Sequence, residues 1–227
     1  MSKDMNLQCA EPLSDIWDVK SGAGNWAIDL PCNFAITSVQ ERNSWYAETM
    51  ISTVDAFASL ARVYQVSFGP IPSNETKVKG QSLEWKLDEP YDCFLAKTAK
   101  AIKEYPVDIY ALTLKVDLFV YVHTKESPNK AVRVWVRKFG NSIAMGEFEI
   151  SLDHSKYKEN YVYFDLTHTL FYPFSYIGYK DNQELFNLNQ PLLAEALRKW
   201  EKKFDAEIEP DGLPGIYKYG YLPEDQW

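Results

Sequence analysis

Apolar and polar residues alternate with a period of two along the middle of the chain, which is the pattern of β-strands that bury one face. Even-numbered positions from Tyr110 to Val122 are apolar, whereas the odd-numbered positions include Lys115 and Asp117. The same alternation returns in three shorter runs that end near residue 166. We therefore predict an antiparallel four-stranded meander over about residues 109–166.

Apolar residues spaced three and four apart predict three helices, near 44–64, 90–105 and 191–204. We expect Asn189 to cap the third helix and Pro191 to open it, because a residue in the first turn needs no partner for its N–H. The chain thus predicts an α+β fold in which the three helices pack on one antiparallel sheet.

The turn at Gly140-Asn141 has glycine first, which suits a two-residue type II′ hairpin. That register would place Glu147 and Glu149 opposite the core valines of the preceding strand, which would bury two acids. A β-bulge at Gly146 removes the conflict, because one inserted residue shifts the acids to the solvent face and brings Arg133 opposite Glu149. We therefore predict a bulge at or beside Gly146.

We treat residues 1–227 as a single domain, with a possible sub-boundary at the loop 69–80, which contains two glycines and two prolines. A second loop, at about 170–179, is dense in aromatic residues. Such a loop is either part of the core or a surface for a partner, and the sequence leaves both open.

The charge balance restricts the partners that the protein is expected to bind. Lys and Arg number 24 and Asp and Glu 32, which gives a formal charge of −8. This acidity disfavours nucleic acid and anionic membrane, because both require a basic face. The N-terminal residues lack the apolar core of a secretory signal, and no apolar run is long enough to span a bilayer, so we expect a cytoplasmic protein that does not bind membranes.

Residues capable of catalysis are present, but no recognised motif connects them. The three histidines stand on separate segments, and the three cysteines include no pair at metal-binding spacing, so we predict no metal site and no cofactor. An enzyme with a non-local site remains an alternative, either near His123 and His154 or at Glu147 and Glu149, which share one face of a strand. A structural or scaffolding module is a further alternative.

The aromatic content favours binding to a macromolecule. The chain has 7 Trp and 15 Tyr, and these residues dominate protein interfaces, while surplus negative charge steers a basic partner. We predict two partner-binding surfaces. The first is the solvent face of the meander, with Trp135, Glu147 and Glu149. The second is the acidic tail, with Glu207, Glu209, Asp211, Glu224, Asp225 and Trp227.

The C-terminal third carries a resemblance to a known family. The predicted helix Leu192 to Phe204 is followed by an acidic tail that is broken by glycine and proline and rich in tyrosine. This arrangement resembles bacterial polymorphic-toxin immunity proteins. The resemblance implies a small acidic cytosolic α+β domain that binds and blocks a toxin, often a basic nuclease. On this basis the expected partner is a basic protein, such as a toxin domain.

Overall fold

A computed structural model describes residues 9–13, 19–31, 38–70, 82–139, 143–152, 159–174, 181–223 and 226. Within these residues the chain forms an α+β fold of three helices and twelve strands. The helices are α1 (Val39–Ala56), α2 (Tyr91–Lys103) and α3 (Gln183–Phe204). The strands are β1 (Val19–Pro31), β2 (Ala61–Pro70), β3 (Leu83–Lys86), β4 (Ile109–Val122), β5 (Val132–Val136), β6 (Lys138–Phe139), β7 (Ile143–Ala144), β8 (Gly146–Leu152), β9 (Glu159–His168), β10 (Ile208–Gly212), β11 (Ile216–Tyr217) and β12 (Gly220–Tyr221).

The main sheet is antiparallel and has eight strands, in the order β10-β1-β9-β8-β4-β2-β3, with β5 also paired to β4. The predicted α+β class is confirmed, but the prediction of four strands is wrong. Two of the added strands come from segments predicted otherwise, because β10 lies in the acidic tail and β2 begins inside the predicted first helix. Among the described residues, no helix is both long and apolar enough to cross a membrane.

The predicted pairing of the second and third meander strands is also wrong. β5 and β8 both pair with β4, at 118–122 and 111–116 respectively, and a short β6–β7 hairpin separates them. Phe139 pairs with Ile143 and not with Ser142, as a two-residue turn would require, and the predicted turn at Gly140-Asn141 lies outside the described residues. The β4–β8 pairing begins at Gly146, opposite Val116, and has no register shift as far as Ser151, so the predicted bulge is absent from this ladder. Alternation fixes the face of a strand but not its partner, and β4 is long enough to take two partners on one edge.

The first helix runs from Val39 to Ala56 and not over 44–64. A capping box starts it, because the Ser38 side chain accepts from the N–H of Glu41 while the Glu41 carboxylate accepts from the N–H of Ser38. The apolar stripe that suggested a longer helix continues through a turn into β2. The second helix agrees with the prediction.

The third helix begins eight residues earlier than predicted, at Gln183, and Pro191 lies inside it. Asn189 is therefore not a cap. It is fully buried, and its side-chain amide bonds both the N–H and the C=O of Tyr121, at 2.8 and 2.9 Å. β2 pairs with β4 only as far as Leu118, so Asn189 takes the place of a strand on the edge beyond it.

All three helices lie on the face of the sheet that carries the even-numbered residues of β4. Phe57 and Trp200 from the helical layer meet Phe148 and Phe164 of the sheet, and the ring centroids of Phe57 and Phe148 are 4.8 Å apart. Tyr105, just after the end of α2, packs on Phe68 of β2 on the same face of the sheet. No helix among the described residues packs on the opposite face, which we call the helix-free face.

Two loops that the sequence left open are partly described. The strands on either side of the predicted sub-boundary at 69–80, β2 and β3, pair with each other in the main sheet, while 71–81 lie outside the described residues. In the aromatic loop, Phe171, Tyr172 and Phe174 are buried and belong to the core. Residues 175–180 lie outside the described part of the chain.

We expect Asn189→Ala to lower the free energy of unfolding by about 3 kcal/mol, because the buried N–H and C=O of Tyr121 would both lose their partner. Urea unfolding followed by circular dichroism measures this loss. Asn187→Ala is the matched control, since Asn187 stands exposed on the same helix and should cost well under half as much. Equal effects of the two variants would contradict the edge-completing role of Asn189.

Candidate functional site on the helix-free face

The strand register places acidic side chains from distant parts of the sequence in two rows across the helix-free face. Directly paired residues of antiparallel strands point to the same side of a sheet. The first row is Asp211, Asn25, Asp165, Glu147, Lys115, Gln65 and Lys86. The second row is Glu209, Ala27, Tyr163, Glu149, Thr113, Ser67 and Glu84. Glu209 and Asp211 of the predicted tail surface therefore lie on the same face as Glu147 and Glu149 of the predicted meander surface.

The five carboxylates at the β10 end of these rows form what we call the acidic patch, namely Glu147, Glu149, Asp165, Glu209 and Asp211. Within the rows, Lys115 is the adjacent cation, while Lys86 forms an ion pair with Glu84 at 2.9 Å. Glu209 and Asp211 are exposed at the edge strand, whereas the other three carboxylates are half-buried between strands. The patch thus carries more negative charge than its described neighbours neutralise.

Glu147 and Asp165 stand opposite each other on adjacent strands, and both resist ionisation. Burial and the Glu147 charge raise the pKa of Asp165 to about 6, against a hydrogen bond from Asn25 that lowers it. Burial also raises the pKa of Glu147, with Glu149 adding to the shift and Lys115 opposing it. The pairing of β8 with β9 keeps the Glu147 and Asp165 carboxylates next to each other on one face despite their like charge.

Two tyrosines line the second row beside Glu149. The Tyr163 hydroxyl donates to the Glu149 carboxylate, and burial together with this bond raises the pKa of Tyr163. The ring of Tyr163 stacks on that of Tyr161 with centroids 5.8 Å apart. Both rings are half-buried, so they offer apolar area next to negative charge, a combination typical of protein interfaces.

An arginine-rich region adjoins the acidic patch along β4. Asp117 falls between the stretches paired with β5 and β8, is fully buried, and accepts from Arg62 at 2.6 Å and from Arg137 at 2.8 and 3.1 Å. Trp135 lies under the Arg62 guanidinium at 4.7 Å from the ring centroid. We define the arginine patch as Arg62, Arg133 and Arg137 with Phe119 and Trp135.

The rings of this patch are stacked between cations. Trp135 and Phe119 stack with centroids 5.0 Å apart, and the Arg133 guanidinium lies 4.5 Å from the Phe119 centroid. Arg133 also donates to the carbonyl of Ser59 at 2.7 Å. No helix covers Trp135 within the described residues, and its ring is half-buried in this stack.

The remaining predicted residues are placed as follows. Glu207 lies off the rows and bonds Lys218 at 3.1 Å, beside Glu201 of α3. Arg133 pairs with Tyr121 and does not meet Glu149, contrary to the prediction. Glu224, Asp225, Trp227 and His154 lie outside the described residues.

Sequence reasoning missed the role of Asp165. The alternation of polar and apolar residues predicts the strand that contains Asp165, but only the pairing of β9 with β8 places Asp165 opposite Glu147. The salt-bridged position of Asp117 was also missed, because it depends on a gap between two strands. An isolated acid inside a long apolar alternation was the one available signal.

The two histidines among the described residues, His123 and His168, are both buried. Burial lowers the pKa of His168 to about 3, so its imidazole is neutral, and its Nδ1 accepts from the N–H of Leu170 at 3.3 Å. His123 lies 3.4 Å from the Glu184 carboxylate on α3. Across the described residues, no three His, Cys, Asp or Glu are grouped to hold a metal ion.

No protein-family model, curated protein or solved structure matches this chain.

We expect Asp117→Asn to destabilise the protein by about 3–5 kcal/mol, because two arginines would lose the buried charge that they share. Thermal and urea unfolding measure this change. Asp108→Asn is the control, because Asp108 forms a bidentate pair with Arg42 that is partly open to solvent and should cost about 1 kcal/mol. A smaller loss for Asp117→Asn than for Asp108→Asn would contradict this assignment.

Stability should fall as the pH rises through the titration of Asp165. The pKa of this group is higher in the folded than in the unfolded protein, so folding binds protons between about pH 4 and pH 6 and the favourable contribution is lost above about pH 6. Asp165→Asn should therefore stabilise the protein at pH 7, by on the order of 1 kcal/mol after allowance for solvent screening.

Urea unfolding at pH 5 and pH 7 tests this expectation. Asp211→Asn, at an exposed position of the same row, should leave the pH profile unchanged. Wild-type and Asp165→Asn profiles that run parallel between these pH values would refute the assignment.

Proposed function

We propose that this protein binds a basic protein partner through the helix-free face. The observation that supports the proposal is the register, which gathers five carboxylates from three strands, β8, β9 and β10, into one acidic patch beside Lys115. The partner would present lysine or arginine side chains to this patch. Such a surface raises the rate of association with a positively charged protein, because attraction acts before contact.

The rigidity of the face also supports binding. The acidic side chains stand on paired strands of a sheet whose other side is packed with rings, so little conformational entropy remains to be lost when a partner docks. Tyr161, Tyr163 and Trp135 add half-buried rings around the charges. Rings of this kind, held in place before binding, are the groups that contribute most to interface affinity.

We further propose that binding is inhibitory, so that the protein neutralises a toxin domain. This finer proposal rests on the resemblance of the C-terminal helix and tail to immunity proteins. The part of that tail that the structure describes is compatible with such a role, since β10 brings Glu209 and Asp211 into the acidic patch. A blocking protein needs no catalytic pocket, only a surface that covers the partner.

The test reverses charge at the edge of the acidic patch. Glu209→Lys with Asp211→Lys should slow association with a basic partner recovered from the source cells by about tenfold at low salt, and the difference should shrink at high salt. Stopped-flow or surface plasmon resonance gives the association rate. Both residues are exposed, so the fold should tolerate the changes.

The matched control is Glu104→Lys with Glu126→Lys, which changes the net charge equally at exposed positions outside the patch. This variant should associate nearly as fast as the wild type. Equal slowing by both variants would show a net-charge effect only, and no slowing by either would refute the role of the face.

A further inference from the structure

The helix-free face carries two patches of opposite charge that share one strand. The acidic patch sets five carboxylates beside Lys115, whereas in the arginine patch Arg62 and Arg137 pair with the carboxylate of Asp117 and the Arg133 guanidinium lies over Phe119. Lys115 and Asp117 are two residues apart on β4, which corresponds to about 7 Å. The two patches therefore adjoin and do not lie on opposite sides of the molecule.

From this arrangement we infer that the helix-free face is self-complementary and pairs with the same face of a second copy of this chain. A two-fold axis through the boundary between the patches sets the acidic patch of each copy against the arginine patch of the other. In a two-fold dimer each attractive contact occurs twice, because residue i of the first copy meets residue j of the second and residue j of the first meets residue i of the second. This inference goes beyond the proposed function and does not depend on it.

The extent of the face suits a stable dimer. Seven strands at a spacing of about 4.8 Å give a width of about 29 Å, and ten residues of β4 give a length of about 33 Å. A face of this outline provides on the order of 800 Å² per copy, the area that a specific interface buries on each side. The seven-strand order and the length of β4 are both set by the described pairing.

The residue types along the boundary also suit an interface. Trp135 and Phe119 are stacked and half-buried, with Arg62 and Arg133 on their faces. Trp and Arg are the residues most often found where binding energy concentrates. Because Asp117 holds Arg137 and the Ser59 carbonyl holds Arg133, these two guanidiniums would meet the carboxylates of a second copy with little further ordering, whereas the Arg62 side chain is only 11% exposed.

If the proposed function holds, the second copy and the basic partner compete for the same carboxylates. The dimer would then keep the acidic patch covered until a partner with higher affinity displaces one copy. The energetics of the dimer itself do not require such a partner.

The test uses two variants that change charge in opposite directions, one in the acidic patch and one in the arginine patch. One variant carries Glu149→Lys and Glu209→Lys, which takes the formal charge of the acidic patch from −5 to −1, and the other carries Arg133→Glu, which takes the arginine patch together with Asp117 from +2 to 0. Sedimentation velocity at low salt should show a wild-type dimer, and each variant alone should dimerise about 100-fold more weakly, because the attraction is lost or greatly reduced at both contacts across the axis. An equimolar mixture of the two variants should form a heterodimer more tightly than either variant forms a homodimer, since the unchanged arginine patch of the first meets the unchanged acidic patch of the second at one of the two contacts.

Several outcomes would overturn the inference. A wild-type protein that stays monomeric at low salt up to its solubility limit excludes the dimer and leaves the proposed function standing. Variants that dimerise like the wild type, or a mixture that stays monomeric although both variants are folded by circular dichroism, exclude this face. The variant Glu104→Lys with Glu126→Lys should dimerise like the wild type.

A measurement on the wild type alone covers the case in which a variant fails to fold. Raising the salt from low to physiological ionic strength should weaken the dimer about tenfold or more, because the attraction between the patches is screened. A dimer that is insensitive to salt would rest on apolar contacts elsewhere and would overturn the proposed pairing.

Discussion

The fold depends on hydrogen-bond partners for the backbone groups along both edges of β4. This strand buries its even-numbered side chains from Leu112 to Val122 completely, and the backbone groups there need partners because the surroundings exclude water. β2 and β3 extend the sheet on one side, and β8 followed by β5 occupies the other. Where β2 runs out, the Asn189 amide supplies the missing bonds, and a Tyr91 hydroxyl similarly accepts from the N–H of Val63. Helices α2 and α3 are thus tied to strand edges by polar side chains as well as by apolar packing.

The same requirement creates the chemistry of the helix-free face. Because two strands share one edge of β4, a gap opens at Asp117, and the buried charge there requires the two arginines that close it. Those arginines in turn hold Trp135 against Phe119. A few residues away the continuous ladder sets Glu147 against Asp165. Burial raises both pKa values, and the charge of Glu149 adds to the shift of Glu147 while that of Glu147 adds to the shift of Asp165. One strand therefore carries both the stable ion-pair cluster and the electrostatically strained acidic patch.

The acidic tail joins the main sheet as its edge strand β10. A tail rich in Glu, Asp, Gly and Pro has little tendency to form structure by itself, yet β10 closes the edge of β1 through five paired positions. Ile208 is buried in this contact while Glu209 faces solvent. Charged residues on an exposed edge also discourage unwanted strand addition, so the same side chains protect the sheet and enlarge the acidic patch.

The sequence by itself determined the α+β class, the second helix, the long strand 109–122 and which side of that strand is buried, because these follow from local periodicity. It also indicated the acids of the face, Glu147, Glu149, Glu209 and Asp211. Only the tertiary structure decided that β5 and β8 share β4, that Asn189 completes an edge, and that Asp165 opposes Glu147. A period of two specifies the face of a strand but not the identity of its neighbours, and these features depend on contacts between residues far apart in the chain.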